Sequence, residues 1–180
     1  MTQMIRIGKC FLMHLVFGGI SSGVILWLVS GYESSSELLR KQFADSPDGG
    51  DSVLAVIQDA QSALLFWALM SILVSMFAAI VFVATSEMSQ PRGYEETGTK
   101  AGRWWVLFMF TFFMVCITWW GSASLEAVGW ILQVNNYWIS CITVLIGNLL
   151  AFFLSTALFV KQSMVRSVPG AEAVRPLGWR

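Results

Sequence analysis

A serine framed by glycines is the first pattern in this chain that could carry chemistry. Residues 19–23 read Gly19-Ile20-Ser21-Ser22-Gly23 and match the G-x-S-x-G pattern of serine hydrolases. That pattern works when the serine sits on a strained strand-to-helix turn and a histidine and an acid converge on it. Here it lies inside a long apolar run, and the chain's single histidine, His14, lies on the same run. Catalysis by Ser21 is not expected. The glycines have a better use, because Gly18 with Ser22 and Gly19 with Gly23 are small-xxx-small pairs that let another helix approach closely. This face is expected to pack within a bundle or against a partner.

His14 is the next candidate. As a haem ligand it would need a second axial ligand from another chain or a methionine, since one histidine cannot make a pair. A hydrogen-bonded or interfacial role is expected, with ligation inside a multi-subunit complex as the alternative. Cys10, Cys116 and Cys141 are scattered, without a C-x-x-C. A four-helix disulfide-generating enzyme needs paired thiols in its external loops, and these cysteines read instead as small apolar residues. Asn148, beside Gly147, falls within an apolar stretch, where an amide is costly without partners. An interhelical hydrogen bond of about 0.6–2 kcal/mol is the expected role. Thr111, Thr118, Thr143, Ser155 and Thr156 can bond back to their own helix and signal little.

Other chemistries lack their parts. Proton relays, ion paths and intramembrane proteases depend on ionisable groups inside the spans, and His14 is the sole one there. The chain shows no Walker loop, zinc spacing or dinucleotide fingerprint. The expectation is a chain that is not an enzyme and holds no metal or cofactor.

The elements that position these residues follow from composition. Of 180 residues, 56% are hydrophobic and 12% charged, and the mean hydropathy is +0.67. The charged share is about half the usual ~25%. Eleven basic residues balance eleven acidic ones, so net charge favours no nucleic-acid partner. The windows 10–32, 60–86, 104–125 and 127–160 contain no Asp, Glu, Lys or Arg. A helix crossing a hydrocarbon core of about 30 Å needs roughly 20 apolar residues. The last window is interrupted by Gln133, Asn135 and Asn136, so its apolar run begins at Trp138. The expected fold is an all-α integral membrane protein, a bundle of four transmembrane helices over about 10–32, 60–86, 104–125 and 138–160. Arg6 and Lys9 before the first run resemble a signal peptide, but the run exceeds a typical h-region of about 7–15 residues and ends without a small-x-small site.

Basic residues orient the bundle. Arg6, Lys9, Arg92, Lys100, Arg103, Lys161, Arg166, Arg175 and Arg180 fall on one face, nine in all, against Arg40 and Lys41 on the other. By the positive-inside rule both termini are expected in the cytoplasm, in a pattern that suits a bacterial inner membrane. The external loops are then 33–59 and 126–137, the cytoplasmic loop 87–103 and the tail 161–180. In the first loop Ser34-Ser35-Ser36-Glu37 fits a capping box for a short helix, and Asp51 or Ser52 is expected to cap a second helix that runs about 54 Å and protrudes from the bilayer. The 126–132 segment is expected to lie on the outer interface. The 87–103 loop is expected to be irregular, helix four to continue to Pro169-Gly170, and 171–180 to be a flexible end. Trp104 and Trp105, Trp119 and Trp120, and Trp138 are expected as interfacial anchors.

These features predict a non-catalytic subunit of a larger membrane assembly, of secretion, conjugation or energy-transducing type. It would pack through Gly18, Gly19, Ser22, Gly23, Gly147 and Asn148 against lipid and other membrane subunits. The alternatives are a homo-oligomeric pore, lined by the stripe Ser140, Val144, Asn148, Ala151 and Ser155, and a cofactor-holding subunit that uses His14.

Overall fold

Apolar chain in lipid must satisfy its own N–H and C=O groups, so each charge-poor run is expected to close its hydrogen bonds locally as a helix. The structure, a computed structural model, describes residues 2–30, 49–88, 94–123 and 137–174. They form α1 (Thr2–Ser30), α2 (Gly49–Met88), α3 (Tyr94–Ala123) and α4 (Tyr137–Phe159). A 3-10 turn (Gln162–Ser167) and a one-turn α5 (Ala171–Val174) follow, and no strand occurs among the described residues. Four stretches are long and apolar enough to cross a membrane: Gln3–Val24, Ser62–Ser86, Lys100–Gly121 and Ile142–Phe159. The expected short helix at 34–46 and the 126–132 segment lie outside the described residues.

Three boundaries differ from expectation. Helix α2 starts at Gly49, ahead of the expected caps at Asp51 or Ser52. Its 40 residues span about 60 Å. The 87–103 segment is not irregular throughout, because α3 begins at Tyr94. The third difference is in the tail. Lys161 is extended (φ −60°, ψ 145°), so α4 stops at Phe159 and the chain turns back. Met164, Val165, Val168 and Ala171 are buried against Phe82, Trp104, Phe152 and Val160. Continuing as a straight helix would have left those apolar side chains outside the bundle. Pro169 disfavours helical backbone at Val168, which is extended. Gly170 then takes φ +74°, a conformation open to glycine, and leads into α5.

Helices α2 and α4 touch each other, and α1 and α3 each pack against both. His14 meets Ser75 and Gly18 meets Ile72, while Thr118 meets Ser71 and Gly121 lies by Trp67, so α1 and α3 run antiparallel to α2. Beside the buried Phe82, Trp104 and Phe152, the interior holds many small and polar residues, among them Ser71, Ser75, Ala79, Thr111, Ser155 and Thr156. Large apolar side chains point outward, among them Leu12, Phe66, Phe77, Phe113 and Ile117, each more than half exposed. A soluble domain sorts its residues the other way. Helices in lipid associate through small residues and interhelical hydrogen bonds, and this packing has that character.

Candidate functional site

The polar residues of α1, α2 and α4 converge on one cluster. His14 is fully buried, held by the small residues that let the three helices close around it. Its Nδ1–H donates to the Cys10 carbonyl at 2.8 Å, one turn back on α1. Nε2 lies 3.2 Å from Ser75 Oγ on α2. Ser155 Oγ on α4 is 3.3 Å from Nδ1. The Ser75 hydroxyl lies 3.0 Å from the main-chain carbonyl of Asn148 and can donate to it. One imidazole thus links three helices. The Cys10 thiol points to the Ser155 carbonyl at 3.9 Å, so it too is part of the α1–α4 seam.

Close approach makes this possible. A Cβ on Gly18 would lie 2.7 Å from Ile72 Cδ1, and one on Gly147 would lie 2.6 Å from Ser21 Oγ. Both are inside contact distance, so a larger residue at either place would force Ile72 or Ser21 to shift where α1 meets α2 and α4. Gly19 and Gly23, by contrast, are exposed, and a Cβ there would meet nothing within 4 Å among the described residues. The glycine-rich face therefore divides: Gly18 packs inward, while Gly19 and Gly23 open outward with Ser22 at the margin.

Asn148 is buried, and its Nδ2 donates to Val144 O within α4 at 2.8 Å. Its side chain therefore does not make the expected interhelical bond; its backbone carbonyl serves that link. Asn148 Oδ1 is buried without a hydrogen-bond partner. Asn148, His14, Gly18, Ser21, Ile72 and Gly147 line a narrow crevice at the meeting of α1, α2 and α4.

Both tryptophan pairs split. Trp104 is buried, stacks on Phe108 at 5.0 Å, and donates through Nε1 to Thr156 Oγ1 at 2.9 Å. Trp119 is buried too, whereas Trp105 and Trp120 face outward, Trp120 at 82% exposure. Successive helix positions differ by about 100° in direction, so a Trp-Trp pair cannot send both rings to the same surroundings. Trp104 and Trp119 pack into the core of the bundle. Trp138 lies in the first turn of α4.

The hydrolase-like pattern is helical throughout, and Ser21 is buried against Gly147. His14 bonds to Cys10, Ser75 and Ser155, not to Ser21. No group of three metal-ligating side chains forms among the described residues. Ser71 and Ser75 were not anticipated as linking residues, although their spacing of one turn among alanines on α2 was a readable signal. The Ser71 and Thr118 hydroxyls meet at 2.8 Å and join α2 to α3. Thr118 and Thr156 bond back to their own helices, as expected, but each also reaches a neighbour. Comparison with protein families, curated proteins and solved structures finds no match to this chain.

Proposed function

We propose that this chain is a non-catalytic integral membrane subunit of a larger assembly, of secretion, conjugation or energy-transducing type. Both termini lie in the cytoplasm of a bacterial inner-membrane protein on this reading, which rests on the nine-to-two distribution of basic residues. The observation that carries the proposal is the outward Gly19/Gly23 face. Among the described residues those glycines are not needed for packing, since a Cβ at either would meet nothing within 4 Å. A helix from another subunit could approach α1 closely along that groove. Ala55, Gln58 and Asp59, exposed on the N-terminal part of α2 ahead of its apolar span, supply a second contact region.

Two other readings are less well supported. A pore built from several copies would need a polar face turned outward, yet Val144, Asn148, Ala151 and Ser155 are all buried in this chain's own interior. A cofactor on His14 would have to displace Ser75 from Nε2 or Cys10 from Nδ1.

The test is purification from native membranes in mild detergent, followed by mass analysis of the intact complex. Stoichiometric recovery of other membrane chains, lost in Gly19→Leu, is the expected result. A homo-oligomer or monomer free of other chains refutes the proposal.

A further inference from the structure

The hydrogen-bond cluster around His14 has more acceptors than donors when its protons are counted. The Cys10 carbonyl can only accept, so the 2.8 Å contact requires a hydrogen on Nδ1. Ser75 has one hydroxyl hydrogen but two acceptors within reach, Nε2 at 3.2 Å and the Asn148 carbonyl at 3.0 Å. With a neutral ring, Nε2 is bare and the hydroxyl serves one of the two. With a proton on Nε2, the N–H donates to Ser75 Oγ and the hydroxyl hydrogen goes to Asn148. The contacts of Nε2 with Ser75 and of Ser75 with Asn148 are then both hydrogen bonds.

We infer that His14 is a proton-binding site whose occupancy decides whether the Ser75 hydroxyl bonds to α1 or to α4. The step takes one proton from water onto Nε2, turns the Ser75 O–H from Nε2 to the Asn148 carbonyl, and breaks no covalent bond. Proton uptake thereby adds a hydrogen bond between α2 and α4, the two helices that touch every other one.

The surroundings suit this exchange. Ile72 and Ser75 on α2, and Ala151 and Ser155 on α4, are the uncharged neighbours. Cys10, whose thiol points to the Ser155 carbonyl, is the one titratable neighbour among the described residues. A buried cation is costly, and three features lower the cost. The ring has acceptors at both nitrogens. The unpartnered Asn148 Oδ1 belongs to the wall of the same crevice. His14 also lies only about 7.5 Å along α1 from exposed Lys9, so a proton need not cross the whole bilayer.

The test is solid-state NMR on the full chain in lipid bilayers, without partners, so it stands apart from the subunit proposal. One histidine gives one pair of ring nitrogens. Asparagine precedes leucine only at Asn148-Leu149, so paired carbonyl and amide labels isolate the Asn148 carbonyl. Across about pH 5 to 8, Nδ1 should stay protonated while Nε2 changes from bare to protonated. The Asn148 carbonyl should shift with the same midpoint. In Ser75→Ala the ring should still titrate and the carbonyl should stop responding, while Ser75→Thr keeps the response. An Nε2 that holds one state across the range overturns the inference. So does a carbonyl that is silent in the wild type or moves equally in Ser75→Ala. The wild-type titration decides the matter even if Ser75→Ala fails to fold.

Discussion

Gly147→Ala is a single methyl change with a worked consequence. The new Cβ would lie 2.6 Å from Ser21 Oγ, where ordinary contact begins at 3.4 Å, so something must yield by about 0.8 Å. Ser21 is buried on α1, and in a helix its alternative rotamers are limited. Moving α1 away from α4 would instead stretch the 3.3 Å contact between His14 and Ser155 two turns along the same seam. Overpacking of this kind costs roughly 1–3 kcal/mol, and the helix propensity gained from Gly to Ala offsets up to about 1 kcal/mol. The expected net loss is about 1–2 kcal/mol. Ser21→Gly removes the obstructing oxygen, so adding Gly147→Ala to it should be neutral or slightly stabilising. A double-mutant cycle should then give a coupling of about 1–3 kcal/mol. The assay is reversible unfolding in mixed micelles, followed by helical circular dichroism. Additive effects of the two substitutions would refute the packing argument.

Three further outcomes follow from burial. Trp104→Phe loses the bond to Thr156 and part of the stack on Phe108, and should lower stability by about 1–2 kcal/mol; exposed Trp120→Phe should stay within about 0.5 kcal/mol in the same unfolding assay. Met164→Ala empties a fully buried place in the tail socket, at about 2–3 kcal/mol. Arg166→Ala removes only an exposed 3.6 Å pair with Glu172, and its thermal midpoint should move little.

What could be read from the sequence was whatever depends on lipid exclusion alone. Charges are absent where helices cross, and four helices follow from that absence. What could not be read depends on the rotation of each helix about its axis. Gly18 and Gly19 are neighbours, yet one packs on Ile72 and the other faces open space; only the bundle's phase separates them. Trp104 and Trp105 part for the same reason. The tail escaped a periodicity argument because a 3-10 turn carries Met164 and Val165 into the bundle. A repeat of 3.6 residues does not describe that path. The His14 cluster was partly legible, since a lone buried histidine needs partners, but Ser75 and Ser155 come from helices 61 and 141 residues away.

On the proposed function, the inward glycines hold the fold and the outward ones hold a partner. Complexes purified from native membranes should be compared for wild type, Gly18→Leu and Gly19→Leu by intact-complex mass and helical content. Gly19→Leu should stay folded but lose its partner chains, whereas Gly18→Leu should lose the bundle itself. Full retention of partners by a folded Gly19→Leu, or a wild type that carries none, would contradict that function.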